Sequence, residues 1–423
     1  MSTPKGIFLE LIKPDGQPER QLCQYEALHM CLTDPINTYL RGNRKRGTVS
    51  KDRWGTTISF PEDAPGPIPV HTPELTVCPD VTHWKNTVHV PDLSVCSEGW
   101  EECRTRSRAA ADAEGKLLAG FMGTGIFEQC HFLMGFENTL TALYEHPEEM
   151  HRLIDYITDY RLGYVKLLID NLHPDVIFSH DDWGTKDALF MHPDMWREFF
   201  KEPSRRFYGY IRSRGCIAVH HADSYLAPIV DDMAEIGIQV WQGVLPENDI
   251  PALQRHLGGK LVLMGGIGAA IDRADATPEE IRSYTEDTLC ACAPGGHFIP
   301  SITYGLPGAV YPHVDEYIDR AIADYNRAGF TMFQDGGIGL SNGPHATLRA
   351  YNTLAREARM NARGYLHFMP NIMDEMLERG TWNLPVSTYL YYGGVKSFAD
   401  GSIQSLTAVL GEPYACKPGF CGD

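Results

Sequence analysis

The 423-residue sequence has no run approaching about 18 uninterrupted apolar residues, so no membrane-spanning helix is expected. Its opening, MSTPKGIFLELIKPDG, lacks the basic start and apolar stretch of a secretory leader. The expectation is a soluble chain that stays in the cytoplasm. Cysteines number 11, an odd and scattered set without a Cys-x-x-Cys pair. Cys290-Ala291-Cys292 and the terminal Cys416 and Cys421 form no four-ligand pattern, which predicts free thiols rather than a structural zinc site. No Gly-x-Gly-x-x-Gly follows an early apolar run, removing local support for a dinucleotide fold. Positive charge is short: 37 Lys and Arg face 55 Asp and Glu, a net charge of −18 that repels a phosphate backbone and argues against a nucleic-acid partner.

What is present is ordinary globular composition, 43 % hydrophobic and 22 % charged, without repeats or low-complexity tracts. Residues 1–105 read as an irregular lobe with a helix near 22–40, because proline is dense from Phe60 to Pro91 and cannot occupy helix interiors or central strands. From Leu117 the pattern changes. Short apolar runs at 117–125, 175–182, 216–223, 237–243, 260–268 and 297–305 have the length of buried parallel strands. Between them lie helices. Pro147 to Asp170 carries Met150, Leu153, Ile154, Ile157, Tyr164 and Leu168 at helical spacing, and Thr277-Pro278-Glu279-Glu280 is a helix start. Such alternation means α/β with a parallel sheet. Polar residues end nearly every strand; a barrel gathers those ends at one mouth, whereas an open sheet spreads them along an edge. The predicted architecture is therefore a (β/α)8 TIM barrel over 106–345, with two strands not located and a helical C-terminal extension over 346–423, where Tyr389, Tyr391 and Tyr392 cluster.

Three constellations carry chemistry. Ser179-His180-Asp181-Asp182-Trp183-Gly184-Thr185 ends one strand, and three ionisable groups there must face a polar mouth rather than a core. His180 and Asp182 are candidates for acid–base work, although Asp182 or Thr185 as a helix cap would also explain the pattern. His220-His221-Ala222-Asp223 ends the next. Alternation sends His220 to one side and His221 with Asp223 to the other, suiting a metal site or an acid–base pair. The third is Gly295-Gly296-His297 through Ser301 and Tyr304, where Tyr304 could donate a proton or simply be a buried tyrosine. Trp241-Gln242 and Gly265-Gly266 end two further strands as an aromatic wall and a closely approached floor; Glu128 and His131 follow the strand at 117–125.

Three segments, DDWGTKDALFMHPDMWREFFKEP, HHADSYLAPIVDDMAEIGIQVWQGVLPENDI and LVLMGGIGAAI followed by TPEE, together resemble the uroporphyrinogen-decarboxylase superfamily. The similarity covers roughly 110–330 and is nearer to the corrinoid-dependent methyltransferase branch. It implies a (β/α)8 barrel. Decarboxylases of this superfamily carry an N-terminal motif of the type RPVWFMRQAGR to hold tetrapyrrole carboxylates. Here Arg41, Arg44 and Arg46 stand in LRGNRKRG, read as a solvated basic turn. Thiol-methylating members hold zinc with His-x-Cys and a later Cys. In this sequence His220 matches the histidine, but Ala222 replaces the cysteine and Ser301 lies where the later one would be.

The pattern that remains resembles the aryl methyl ether O-demethylases, in which a methyl group passes to a separate corrinoid protein. What the resemblance implies is a catalytic set of His180, Asp182, His221 and Tyr304. Trp183, Trp241, Gln242, Gly265 and Ser301 would bind substrate, and His220, Asp223 and Glu128 would hold zinc. The expected partners are a corrinoid protein, a small-molecule methyl donor and a second copy of the chain. A decarboxylase or lyase acting on a smaller acid, methyl transfer from a quaternary amine, and a non-catalytic corrinoid chaperone remain as alternatives.

Overall fold

The computed structural model describes residues 3–41, 45–61, 66–268, 271, 278–303, 332–338, 351–352, 354–355, 360, 363–368 and 390–395. Ten strands fall in the first part: β1 (Leu28–Cys31), β2 (Thr48–Lys51), β3 (Thr57–Phe60), β4 (Ile68–Pro69), β5 (Leu117–Met122), β6 (Val176–His180), β7 (Ile217–His221), β8 (Val240–Val244), β9 (Val262–Ile267) and β10 (Phe298–Ile302). Seven of them form one parallel sheet in the order β1-β5-β6-β7-β8-β9-β10. All six apolar runs are therefore strands. The sheet curls: Gln24, just before β1, donates its N–H to the Pro300 carbonyl of β10 at 2.8 Å, and the Gln21 side-chain amide donates to the Phe298 carbonyl. This is the TIM-barrel-like α/β architecture, with seven barrel strands among the described residues.

Alternation along each strand divides the apolar residues into two cores. Leu117, Ala119, Val176, Phe178, Ile217, Val219, Val240, Val262, Met264 and Ile299 fill the inside of the curl. Leu118, Ile177, Ala218, Trp241, Leu263 and Phe298 face outward into a larger core shared with the helices. Helix Pro147–Leu172 buries Met150, Leu153, Ile154, Ile157 and Leu168 there, each worth about 1.5–3 kcal/mol relative to exposure. At the strand starts the inner core is closed by helix Pro4–Leu11, which begins with Thr3 accepting the Gly6 N–H and inserts Ile7, Phe8 and Leu11.

At least one helix is expected in the N-terminal region, near 22–40; the chain forms helices Pro4–Leu11 and Pro35–Arg41, with β1 between them. β1 pairs with β5, so the barrel strands begin well before residue 106. Four residues, Leu-His-Met-Cys, are too few to display a period. β2 and β3 lead into the proline-rich stretch and form a small antiparallel sheet with β4 inside it, followed by single turns at Val81–His83, Trp84–Thr87 and Leu93–Val95.

Residues Met1–Asp272 with Ala276–Val310 form one compact unit, and Arg273–Asp275 with Tyr311–Asp423 a second. In the second unit, β11 (Met332–Ile338), β12 (Arg363–Phe368) and β13 (Leu390–Val395) pair in parallel. Strands β12 and β13 fall within the extension expected to be helical from 346, whose described residues 351–352 and 354–355 are helical, and β11 lies in the second unit although the expected barrel runs to 345. Tyr365 and Tyr391 are opposed across β12 and β13, with ring centroids 4.6 Å apart. No helix among the described residues is long and apolar enough to cross a membrane.

One irregularity in the barrel sheet sets up the site. Strand β8 is bulged between Gln242 and Val244, so Val240 and Gln242 face inward while Val244 turns out to the helix-side core. The extra residue, Gly243, has φ +96°, and a Cβ on it would lie 2.7 Å from the Ala222 carbonyl oxygen. Gly243→Ala should therefore cost about 1–3 kcal/mol in strain and clash. Urea denaturation would read this as a lowered midpoint at unchanged slope; an unchanged midpoint would show the bulge to be dispensable.

Candidate active site

Strand ends β6, β7 and β8 place three polar side chains in a row inside the curl. His180 pairs with His221 in register, and His221 with Gln242. The two imidazoles stack, centroids 4.4 Å apart and planes at 28°. Each is fixed through Nδ1. That of His180 lies 2.9 Å from Glu128 Oε2, and that of His221 donates to the Gln242 side-chain oxygen. Gln242 is oriented in turn by donating its amide to the Ile302 carbonyl at 3.3 Å. On the other side of its ring, His180 Nε2 is 3.8 Å from Asp182 Oδ2. Asp182 also accepts the Asp223 N–H at 3.2 Å.

Glu128 reaches His180 because of where its helix begins. Helix Ile126–Met134 follows β5, and Glu128 in its first turn accepts the Gly125 N–H at 2.8 Å. The buried Asp181 caps this helix from outside: its carboxylate accepts the N–H groups of Ile126, Phe127 and Glu128 at 3.0–3.2 Å and the Trp183 indole N–H at 2.9 Å. Arg161, buried in helix Pro147–Leu172, holds the preceding turn by donating to the Gly123 and Thr124 carbonyls and to Ser179 Oγ.

These groups shift one another's charge. Burial disfavours the charged form of both His180 and Glu128, but their mutual attraction and hydrogen bond prevail. The imidazole is pushed up to about 10, with Asp182 helping, and the Glu128 carboxyl is held well below its usual range. Burial raises Asp182 to about 6 against the pull of His180, and raises Asp223 together with the Asp182 charge. For Asp181, burial and the Glu128 charge push upward, opposed by its N–H donors. Burial and the His180 charge lower His221 to about 4. The site therefore holds one protonated and one neutral imidazole beside several carboxyls.

Among the described residues, one ligand atom from each of His180, Asp182 and His221 lies within 4.8 Å of the others. This two-imidazole, one-carboxylate set fits a divalent ion. Glu128 and Gln242 supply the outer hydrogen bonds that orient ligating histidines, and the donors are of the hard and imidazole type, without thiolate.

The set differs from the expected ligands. His220 faces outward, fully buried, accepts or donates at Nδ1 with the Tyr208 hydroxyl at 2.6 Å, and stacks on Trp183 at 4.1 Å. Burial pushes its imidazole well below the usual value. Glu128 contributes by orienting His180, and Asp223 by its charge beside Asp182. Trp183 and Trp241 do not wall the mouth. Both lie in the helix-side core, Trp183 against Trp196 and Trp241 donating to the Ala222 carbonyl. Gly265 admits the backbone of Val244, whose carbonyl would lie 2.3 Å from any Cβ there. Ser301 is buried and donates to the Ile302 carbonyl at 3.0 Å. Tyr304 lies outside the described residues.

Two apolar mouth residues escaped the sequence reading. Phe121 and Met30, half-buried, continue the inward faces of β5 and β1, and the Arg41 guanidinium sits 5.7 Å from the Phe121 ring centroid. Counting by two from Ala119 finds Phe121; nothing local marks Met30.

The chain matches the family model for uroporphyrinogen decarboxylase (URO-D) over residues 48–320, and it belongs to that family. It is 26 % identical over 232 residues to the uroporphyrinogen decarboxylase of Cellvibrio japonicus (strain Ueda107), a match covering 50 % of this chain and 61 % of that one. Against the enzyme of the same name from Shewanella piezotolerans (strain WP3 / JCM 13877), identity is 24 % over 218 residues, covering 48 % and 57 %. The match thus spans about three fifths of the curated relatives' length. A methyltransferase from Methanosarcina mazei shares the fold with a TM-score of 0.54 at 15 % identity, covering 74 % of this chain and 95 % of that one.

Two measurements test the site. In metal-free protein the His180 ring should titrate near pH 10 by NMR, and Glu128→Gln should bring it down toward the usual 6.5. Because the folded value lies above 6.5, the stabilisation it brings is complete below that pH and is lost as pH rises through about 10. The stability gap between wild type and Glu128→Gln should therefore narrow over that interval; a gap independent of pH would refute the pairing. Separately, Co²⁺ titration should develop visible absorption bands that His221→Ala and Asp182→Ala each weaken at least ~10-fold in affinity. Bands unaltered in both variants would place the ion elsewhere.

Proposed function

We propose that this member of the uroporphyrinogen-decarboxylase family is a methyltransferase that takes a methyl group from a methoxylated aromatic compound and passes it to the Co(I) of a separate corrinoid protein. The observation that carries the reading is the convergence of His180, Asp182 and His221 at a mouth with few cations among the described residues. The inward positions at the strand ends are Met30, Phe121, His180, His221, Gln242, Met264 and Ser301, none of them Lys or Arg. Arg41 beside Phe121 is one cation near them, whereas a polycarboxylate substrate calls for a cluster. That weighs against the activity in the names of the curated relatives.

An aryl methyl ether surrenders its methyl group to a nucleophile only if the departing phenolate oxygen is stabilised. His180, kept protonated between Glu128 and Asp182, is placed to give that oxygen a proton from Nε2. With His180 Nε2 deprotonated, a divalent ion held by His180, Asp182 and His221 would supply Lewis acidity there in place of that proton. Gln242 keeps His221 in one orientation, and Phe121 and Met30 offer apolar surface to the ring. The Co(I) partner must approach this mouth.

The test is incubation with reduced corrinoid protein and a panel of methyl donors, following methylated corrinoid by absorbance. A methoxylated aromatic should serve as donor, and His221→Ala or Asp182→Ala should each lower turnover by ~10²-fold while ring binding is largely kept. Activity with a quaternary amine alone, or decarboxylation of a small acid without methyl transfer, would overturn the assignment.

A further inference from the structure

Away from the mouth, two cysteines meet. Cys31 ends β1, and Cys103 lies in helix Trp100–Ala113, which packs on the outer face of β1 and β5. Their sulfurs are 3.6 Å apart although 72 residues separate them in sequence. Ser107, one turn along the same helix, donates its hydroxyl to Cys31 Sγ at 3.5 Å. Cys103 Sγ lies 4.0 Å from the Thr33 carbonyl, and Arg106 donates to Thr33 Oγ1 at 3.2 Å.

The pair is buried, with exposures of 3 % and 4 %, but it is not sealed. A cavity of about 540 Å³ is lined by His29, Met30, Cys31, Thr33, Arg106 and Ser107, which brings small solutes to the Cys31 side. The other cysteines among the described residues either lie exposed, as Cys23 and Cys290 do, or are buried with no second sulfur in contact.

We propose that Cys31 and Cys103 form a peroxide-reactive dithiol, oxidised reversibly to a disulfide in the folded chain. The Cys31 sulfur attacks one oxygen of a hydroperoxide; the O–O bond breaks, an alcohol or water leaves with a proton, and Cys31 becomes a sulfenic acid. Cys103 then attacks that sulfur, the S–O bond breaks, and water leaves with the Cys103 proton. Two thiols lose two electrons and two protons, and one peroxide is reduced. A dithiol reductant reverses the outcome by exchange. Hydrogen bonds from Cys103 first, then Ser107 and the Thr33 backbone, with the Arg106 charge, favour the Cys31 thiolate over the burial that opposes it, drawing its thiol down to about 6. The opposite holds at Cys103, whose thiol is raised by the Cys31 sulfur and by burial. The cavity and the Ser107 hydroxyl reach Cys31, which makes it the attacking thiolate and Cys103 the resolving thiol. The cross-link would tie β1 to the helix outside it.

The experiment treats the folded full chain with one equivalent of hydrogen peroxide, unfolds and alkylates it, and digests it without reductant for mass spectrometry. The expected product joins the Cys31 and Cys103 peptides with loss of two hydrogens, forms at least ~10-fold faster than Cys23 or Cys290 is oxidised, and disappears with dithiothreitol. In folded Cys103→Ser, Cys31 should stop as a sulfenic acid that dimedone captures. The wild-type measurement stands whether or not that variant folds. Cys31 and Cys103 both alkylated while Cys23 and Cys290 are oxidised, a link formed only after unfolding, or no dimedone adduct at Cys31 in a folded variant would each overturn the proposal.

Discussion

The hydrogen bonds that Asp181 makes to the start of helix Ile126–Met134 are the constraint on which the site depends. Three unpaired amides of a helix end and an indole N–H converge on one buried carboxylate. Hydrogen bonds to a charged group contribute about 1.5–3 kcal/mol each, and leaving such donors unmet in a core costs a similar amount. The approach is close enough that a Cβ on Gly125 would fall 1.9 Å from the Asp181 carboxyl carbon. This contact ties the loop after β6 to the helix after β5. It sets Glu128 at the height of His180, and without it the imidazole would lose the partner that fixes its ring and its charge.

The adjacent histidines show how one strand serves two environments. His221 faces the mouth, shares a row with His180 and Gln242, and is lowered only as far as burial and a neighbouring positive charge require. His220 faces the helices, where Tyr208 and Trp183 enclose it in a space no charged ring would tolerate. The same alternation puts Trp241 in the outer core and Gln242 inside. The bulge at Gly243 then resets the phase, so that Val244 leaves the inner face immediately after Gln242. Polar chemistry is thereby confined to the last layer of the barrel, above an inner core of Val, Ile, Met and Phe.

Charge balance completes the arrangement. Glu128, Asp181, Asp182 and Asp223 gather around two imidazoles, one of them neutral. Helix N–H groups answer Asp181, but the remaining carboxyls call for a cation. Either the His180 proton or a divalent ion meets that demand, and the oriented Nε2 positions suit both. In the proposed reaction that cation would also meet negative charge developing on the leaving oxygen.

The sequence alone determined the layered α/β architecture, the six strands from β5 to β10, the helix Pro147–Leu172 and the strand ends at which chemistry would lie. Those follow from local periods, which the chain writes in consecutive residues. It also placed His180, Asp182 and His221 among the reactive groups, since ionisable side chains at strand ends have no place in a core. The tertiary structure decided the rest. β1 is too short to show a period, and β12 stands in a stretch that reads as helical. In the sequence Trp183, Trp241 and His220 read as site residues because a strand end has two faces, and only the packed helices determine which face is dry. The role of Glu128 depends on Asp181, 53 residues away, and the meeting of Cys31 with Cys103 on a contact across 72. Separations of that size carry no local signature, because the energy that fixes them exists only once the sheet has curled and its helices have packed.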